Sequence, residues 1–406
     1  MSRLRVGVVG AGRRVHEMYG PVLGGLRGDF EVVGVASRTP ESARRATAVL
    51  GGTPYEDLAT LARDARPDLL VVAVAAPANA SVALQAIETG CGVLLETPIA
   101  VGEADAAWVC AAAGRSPAPF AVVEQKPFLP AECFRRRLIE AGAFGQVVVV
   151  ENDYRSYDYH AIAQLRRYLA HDALPVTARA VRASFALDPY ERRDEEGGAA
   201  PGPRVEQWDL GAVTFDDGTL LVHRFTSAYK VAPFRTFQSL RIYGTRGSAV
   251  NDEIVVLDAQ GRSVRLRVEE NTTGAGRAPR SITAILPGAQ TVGWDNPFVD
   301  LDFTDDQVGV ALHLVAFREA IVGGKQALYS AHDALRDIEI LAAFRRSADA
   351  DGKPVPVTHR CGNPRCGGPP ILEQAVRLKK WIFGAPGRAA LLRLRGRARR
   401  QLRRIL

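Results

Sequence analysis

A chain of 406 residues, 47% hydrophobic and 24% charged, has the composition of a globular protein and enough length for two cores. It holds no run of about 18 uninterrupted apolar residues, and its first residues lack the charged, apolar and small-residue order of a secretory leader, so a cytoplasmic location is expected. The formal charge of +7 is local: residues 371–406 carry nine Arg, two Lys and one Glu, leaving 41 basic and 44 acidic side chains on the body and no case for a nucleic-acid partner.

Residues 4–9 are a short apolar strand that runs into Gly10-Ala11-Gly12-Arg13-Arg14-Val15 and then a predicted helix. Gly10 permits a tight turn. Gly12 has no Cβ, so backbone N–H groups at the helix start, around Arg13 and Arg14, are open to the pyrophosphate of a dinucleotide. Val15 stands where the G-x-G-x-x-G pattern has its third small residue. Apolar runs at 31–37, 69–74, 93–96 and 120–124 alternate with helical spacing over 40–50, 55–64 and 80–89. Nearly continuous apolar strands between amphipathic helices describe a parallel sheet covered on both faces, an α/β Rossmann domain spanning residues 1–127. Its second strand ends in Ser37-Arg38. Where an NAD site places Asp or Glu against the ribose 2′-hydroxyl, this hydroxyl and cation favour the 2′-phosphate of NADP, with NAD as the alternative.

Beyond residue 127 the pattern changes. Segments 146–152, 180–187, 210–215, 219–225, 238–243, 248–251, 254–258 and 263–268 have strand length and are broken by turn signals such as Asp217-Gly218. They predict a meander in an α+β domain, residues 128–357, with a large, mainly antiparallel sheet. Residues 189–203 and 271–280 read as polar loops, while 308–323 and 331–348 return to helical periodicity with His313 on a packed face.

Several stretches, in order, resemble the Gfo/Idh/MocA family of nicotinamide-dependent enzymes, over roughly residues 3–357: GAGRRV, VASRTPE, DLLVVAV, AIETGCGVLLETPIA, PAECFRRRLIEAGAFGQVVVV, YDYHAIAQLRRYL and AFREAIVGGKQALYSAHDALRDIEILAAF. The resemblance implies a sheet whose open face covers the nicotinamide and binds a small-molecule substrate, and a homo-oligomer that buries such a face. It places Asn79, Glu96, Thr97, Pro98 and Gln125 around the dinucleotide. The family's strand-end Glu-Lys-Pro supplies a lysine beside the nicotinamide, but this chain reads Glu96-Thr97-Pro98. Threonine can hydrogen-bond, yet it cannot serve as an ammonium acid or a titrating base near neutral pH.

Two groups are candidates to replace it. Lys126 follows the fifth predicted strand, at whose carboxyl end ligands of such sheets collect. His160 matches the family's acid/base histidine, usually written H-x-x-D, and imidazole titrates near neutral pH. Here the fourth position is Ala163, so orientation must come from elsewhere; Asp153 and Asp158 are candidates, and Tyr157 or Tyr159 can donate to a substrate oxygen. Arg166 and Arg167 are either an anchor for an anionic substrate group or the wet face of a helix.

Residues 358–406 form a linker and a basic amphipathic tail. Cys361 and Cys366, with His359, make only half of a zinc pattern, so no metal is expected. Residues 371–406 show two apolar stripes opposite arginines, which suits weak peripheral membrane contact or a partner-bound or free arm. Two functions follow: an NAD(P)-dependent oxidoreductase acting at a hydroxyl or keto group of a sugar-like molecule, or a catalytically silent dinucleotide-binding homologue.

Overall fold

The structure, a computed structural model, describes residues 3–359 except 155–156, 171, 191–203, 229–231, 233, 236–237, 273 and 275–276. The chain divides into two compact units, Met1–Gly362 and Asn363–Leu406. The basic tail, Cys361, Cys366 and nearly all of the 189–203 loop lie outside the described residues.

The apolar runs of the first half form β1 (Leu4–Val9), β2 (Phe30–Ala36), β3 (Thr53–Tyr55), β4 (Leu69–Val72), β5 (Gly92–Glu96) and β6 (Phe120–Val123). Among the described residues they make one parallel sheet in the order β3-β2-β1-β4-β5-β6. Helices α1 (Gly20–Gly25), α2 (Pro40–Leu50), α3 (Leu58–Ala65), α4 (Ala76–Glu88) and α5 (Glu103–Arg115) fill the crossovers. Val6, Val8, Val71 and Leu94 are fully buried, each side chain contributing about 1.5–3 kcal/mol of transfer free energy. The strand order reverses beside β1, and that crevice is where ligands of such sheets bind.

The edges of this domain differ from expectation for local reasons. The helix predicted over 55–64 starts at Leu58 because the Asp57 carboxylate accepts from the Thr60 N–H at 2.7 Å, and the residues before it pair as the edge strand β3. The helix predicted from residue 80 begins at Ala76, with Pro77 in its first turn. After the glycine turn the chain is π-helical over Val15–Tyr19, the Gly20 N–H bonding Val15 O, before α1 begins. This wider turn packs a fully buried Val15 where the pattern keeps a small residue.

The second sheet follows α6 (Pro130–Glu140). Its strands are β7 (Val147–Tyr154), β8 (Pro175–Leu187), β9 (Arg204–Phe215), β10 (Leu220–Thr226), β11 (Ser239–Gly244), β12 (Gly247–Val250), β13 (Glu253–Leu257) and β14 (Ser263–Arg265), with α7 (Asp158–Arg166) between β7 and β8. With β18 (Val355–Pro356) the order is β14-β13-β12-β11-β7-β10-β9-β8-β18. The expected plain meander is interrupted once: the 215–219 turn folds β10 back on β9 and sets it parallel to β7. The run 263–268 also divides, since its end starts β15 (Val268–Asn271), which joins β16 (Ser281–Ile285) and β17 (Thr291–Asp295) in a separate small sheet.

Helices α8 (Asp305–Gly323) and α9 (Ala331–Asp349) begin in capping boxes, Thr304 with Gln307 and Ser330 with Asp333. They return to the first sheet, α9 packing on α5 and α7 as well as β8. The face of the second sheet away from α7 is open, with the cross-strand pair Val181 and Leu210 exposed beside Phe185.

Candidate active site

The cofactor end of the site is built by backbone. Gly10 has φ +122°, and a Cβ there would lie 2.1 Å from Ala73 O, so only glycine closes the turn against β4. A Cβ on Gly12 would meet no protein atom within 4 Å. That open space beside the first N–H groups of the following helix fits a pyrophosphate. Ser37 and Arg38 lie at the carboxyl end of β2, with Arg38 and Arg13 exposed.

A cleft of about 580 Å³ opens beside this turn. It is lined by Arg14 and Val74 from the β1 and β4 ends, by Glu96, Thr97 and Pro98, and by Gln125. The second domain supplies Tyr157, Asp158, Tyr159 and His160 at the head of α7 and Ile338, Leu341 and Arg345 of α9. Among the described residues, those that the second domain brings to the cleft come from the head of α7 and from α9. The resemblance implies that the C-terminal helices return toward the first domain, but that α9 lines the cleft was not read from the sequence, because helical periodicity tells that a face is buried and not what it meets.

His160 is the best-defined chemical group in the cleft. Its Nδ1 lies 2.7 Å from both carboxylate oxygens of Glu124, the residue that follows β6 and is almost fully buried. Glu124 therefore does the orienting that Ala163 cannot, and neither Asp153 nor Asp158 does. Asp158 instead bonds the Tyr159 N–H and faces Arg345 at 3.6 Å. The pair is itself braced: Glu124 Oε1 accepts the Lys126 N–H at 3.1 Å, and the Glu124 carbonyl accepts from His313 Nε2 at 3.0 Å. Burial pushes the His313 imidazole down to about 4, which keeps it a neutral donor. His313 is thus packed in α8 as expected, with a bracing role that its position alone did not disclose. The Tyr159 ring lies 4.5 Å from the His160 ring and stacks on Tyr157 at 5.5 Å. Burial, reinforced by Glu124, pushes the Tyr159 phenol well above its ordinary value, so it stays a proton donor.

Around Glu96 the site is held tightly. The Glu96 carboxylate accepts from Arg14 Nε at 2.7 Å and from the buried Tyr19 hydroxyl at 2.8 Å. Burial opposes the Arg14 charge, but Glu96 more than offsets that and holds it firmly protonated. The Thr97–Pro98 peptide is cis. Gln125 lines the cleft and is buried, and its Oε1 meets no hydrogen-bond donor among the described residues.

Four sequence candidates lie elsewhere. Lys126 does not line the cleft: its ammonium pairs with Asp306 at the start of α8, at 2.7 Å. Asn79 is fully buried and donates to the Glu96 and Pro98 carbonyls at 2.9 and 2.7 Å, so it clamps the loop carrying Thr97 rather than facing ligand. Arg166 is no substrate anchor either, being bonded to Asp337 at 2.7 Å and to the Asp333 carbonyl at 2.9 Å; Arg167 lies beside it, outside the cleft.

Comparison with known proteins matches residues 4–123 to the Gfo/Idh/MocA oxidoreductase family, NAD-binding Rossmann fold, and residues 191–357 to that family's C-terminal alpha/beta domain. A curated relative, dehydrogenase aclE of Aspergillus oryzae, is 38% identical over 79 residues, which is 18% of this chain and 21% of the relative; the match thus spans about a fifth of that protein. Among solved structures, levoglucosan dehydrogenase in complex with NADH and levoglucosan is 18% identical with a TM-score of 0.65, over 88% of this chain and 100% of that one. The WlbA dehydrogenase from Bordetella pertussis, in complex with NADH and UDP-GlcNAcA, is 16% identical with a TM-score of 0.60 over the same shares. At these identities the two structures establish a shared fold.

Proposed function

The chain belongs to the Gfo/Idh/MocA oxidoreductase family, and from that premise we propose that it transfers hydride between a nicotinamide dinucleotide and a hydroxyl or keto carbon of a sugar-like small molecule, with His160 as acid/base. The observation that carries this reading is the His160–Glu124 pair in the cleft beside the glycine turn. When bound, the dinucleotide supplies or accepts the hydride. Gly10, Gly12 and Arg13 hold its pyrophosphate, Ser37 and Arg38 take the 2′-phosphate of NADP, and Thr97 and Gln125 hydrogen-bond the nicotinamide amide or the substrate.

His160 holds its proton traffic at Nε2, because Nδ1 is committed to Glu124. In the oxidative direction Nε2 takes the substrate hydroxyl proton, and in the reductive direction it returns one to the developing alkoxide. Glu124 fixes the ring and its tautomer, and the Tyr159 hydroxyl donates to the same substrate oxygen. Lys126, tied to Asp306, anchors α8 to the strand end and takes no part in proton transfer. The sugar-like substrate is supported by the two dehydrogenases whose structures hold levoglucosan and UDP-GlcNAcA.

The test is a fluorescence titration with NADPH and NADH, followed by turnover with sugars, cyclitols and nucleotide-linked uronates in wild type and His160→Ala. The reading expects NADPH to bind more tightly than NADH and turnover to vanish with His160. A chain that binds neither dinucleotide contradicts it. Thr97 favours a second reading, a silent homologue that binds NADPH without turnover; activity that appears only in Thr97→Lys supports that alternative.

A further inference from the structure

Helix α7 has chemistry at both ends. His160 stands at the first, and the second closes a separate recess of about 70 Å³, room for several waters, between Phe128, Phe215, Leu328 and the arginines 136, 166 and 167. The three guanidinium groups are not equivalent. Arg166 is satisfied by Asp337 and by the carbonyl and carboxylate of Asp333. Arg136 gives Nε to Glu140 at 3.0 Å and Nη1 to the carbonyls of Arg167 and Leu169 at 3.0 and 3.3 Å, and no acceptor among the described residues meets its Nη2.

Arg167 has no carbonyl or carboxylate acceptor among the described residues. It lies over the Phe128 ring, 5.3 Å from the centroid. Burial and then the neighbouring Arg136 disfavour its charge. The carboxylates closest to these arginines are already engaged, Asp333 in the cap of α9 and with Arg166, Glu140 with Arg136 and Arg137. The half-buried Arg167 guanidinium thus brings to the recess donors that no protein acceptor among the described residues takes up.

We propose that this recess binds a small oxyanion through Arg167 and Arg136 Nη2, its apolar walls favouring the carboxylate of a small organic acid over free phosphate. A carboxylate answers the fork geometry of Arg167, while Phe128 and Phe215 cover its carbon body. The site is independent of the dinucleotide cleft and stands or falls separately from it.

The experiment is calorimetry and thermal melting of the full chain with propionate, with inorganic phosphate, and with chloride at matched ionic strength. Propionate is expected to bind and raise Tm above the chloride control, and Arg167→Gln to weaken it about tenfold while NADPH affinity stays within about twofold. Arg167→Lys, which keeps the charge and loses the fork, should fall between the two and decides the matter if the Gln variant does not fold. Binding of phosphate without propionate keeps the oxyanion site and changes its source to the free ion. The proposal is overturned if neither anion exceeds chloride, or if Arg167→Gln binds as wild type.

Discussion

At one end of the cleft the protein works through its backbone, and at the other through side chains brought together from distant parts of the chain. Gly10 and Gly12 lie two residues apart in one turn, and their meaning is steric: at one, Ala73 O occupies the place of a Cβ, and at the other that place is open, where the proposed function puts a pyrophosphate. His160 and Glu124 are 36 residues apart, on α7 and just after β6, and become a pair only when the second domain folds against the first. On the proposed function, the cofactor cradle rests on sterics local to one turn, whereas the acid/base pair rests on the packing of one domain on the other, in a cleft where Thr97 stands in place of the lysine of the family's Glu-Lys-Pro.

That comparison breaks most visibly at His160. His160→Ala is expected to lower turnover by about 10²–10⁴-fold while NADPH affinity changes less than about twofold, measured by steady-state rates and fluorescence titration. Equal losses in both would merge the two ends. Gly12→Val should do the opposite, weakening NADPH by about a hundredfold through the space proposed for the pyrophosphate, with Tm little changed because a Cβ there has no protein atom within 4 Å. Glu124→Gln comes next. It keeps a neutral partner on Nδ1 but removes the charge, so turnover should drop by about 10–100-fold at near-constant cofactor affinity.

The smallest effect concerns stability. Burial pushes the Asp337 carboxyl up to about 7, although Arg166 and the Tyr329 hydroxyl pull the other way. The ordinary carboxylate value is about 4, so the folded protein holds this proton more tightly than the unfolded chain. The resulting stability is fully present below about pH 4 and is lost as pH rises through about 7. Asp337→Asn should flatten the decline of Tm between about pH 4 and 7; a decline as steep as wild type would place the titration on another group.

Much of the fold was legible for the same reason that the cradle was. The five longer strands of the first sheet are nearly continuous apolar runs, and the parallel-sheet reading needs only those runs and their spacing. Strands β16 and β17 escaped notice because five residues such as Ser281–Ile285 carry too short an alternation to stand out. The parallel pairing of β7 with β10 is a property of the return path of the chain and leaves no local mark. At the site, His160 was identifiable from the resemblance, as the match to the family's helix-head histidine, but its partner was not, since nothing in the EQKP stretch says which element its glutamate will face. Asn79 and Lys126 show the converse: polar residues in the right neighbourhood that the fold spends on holding loops in place.

The account depends most on where the reacting end of the dinucleotide lies. A crystal structure of the full chain grown with NADP⁺ measures this directly. It is predicted to show the pyrophosphate over Gly10–Gly12, the 2′-phosphate at Ser37 and Arg38, and the nicotinamide in the cleft between Thr97 and the Nε2 face of His160. A nicotinamide lying outside that cleft, with His160 and Tyr159 facing empty solvent, would contradict it.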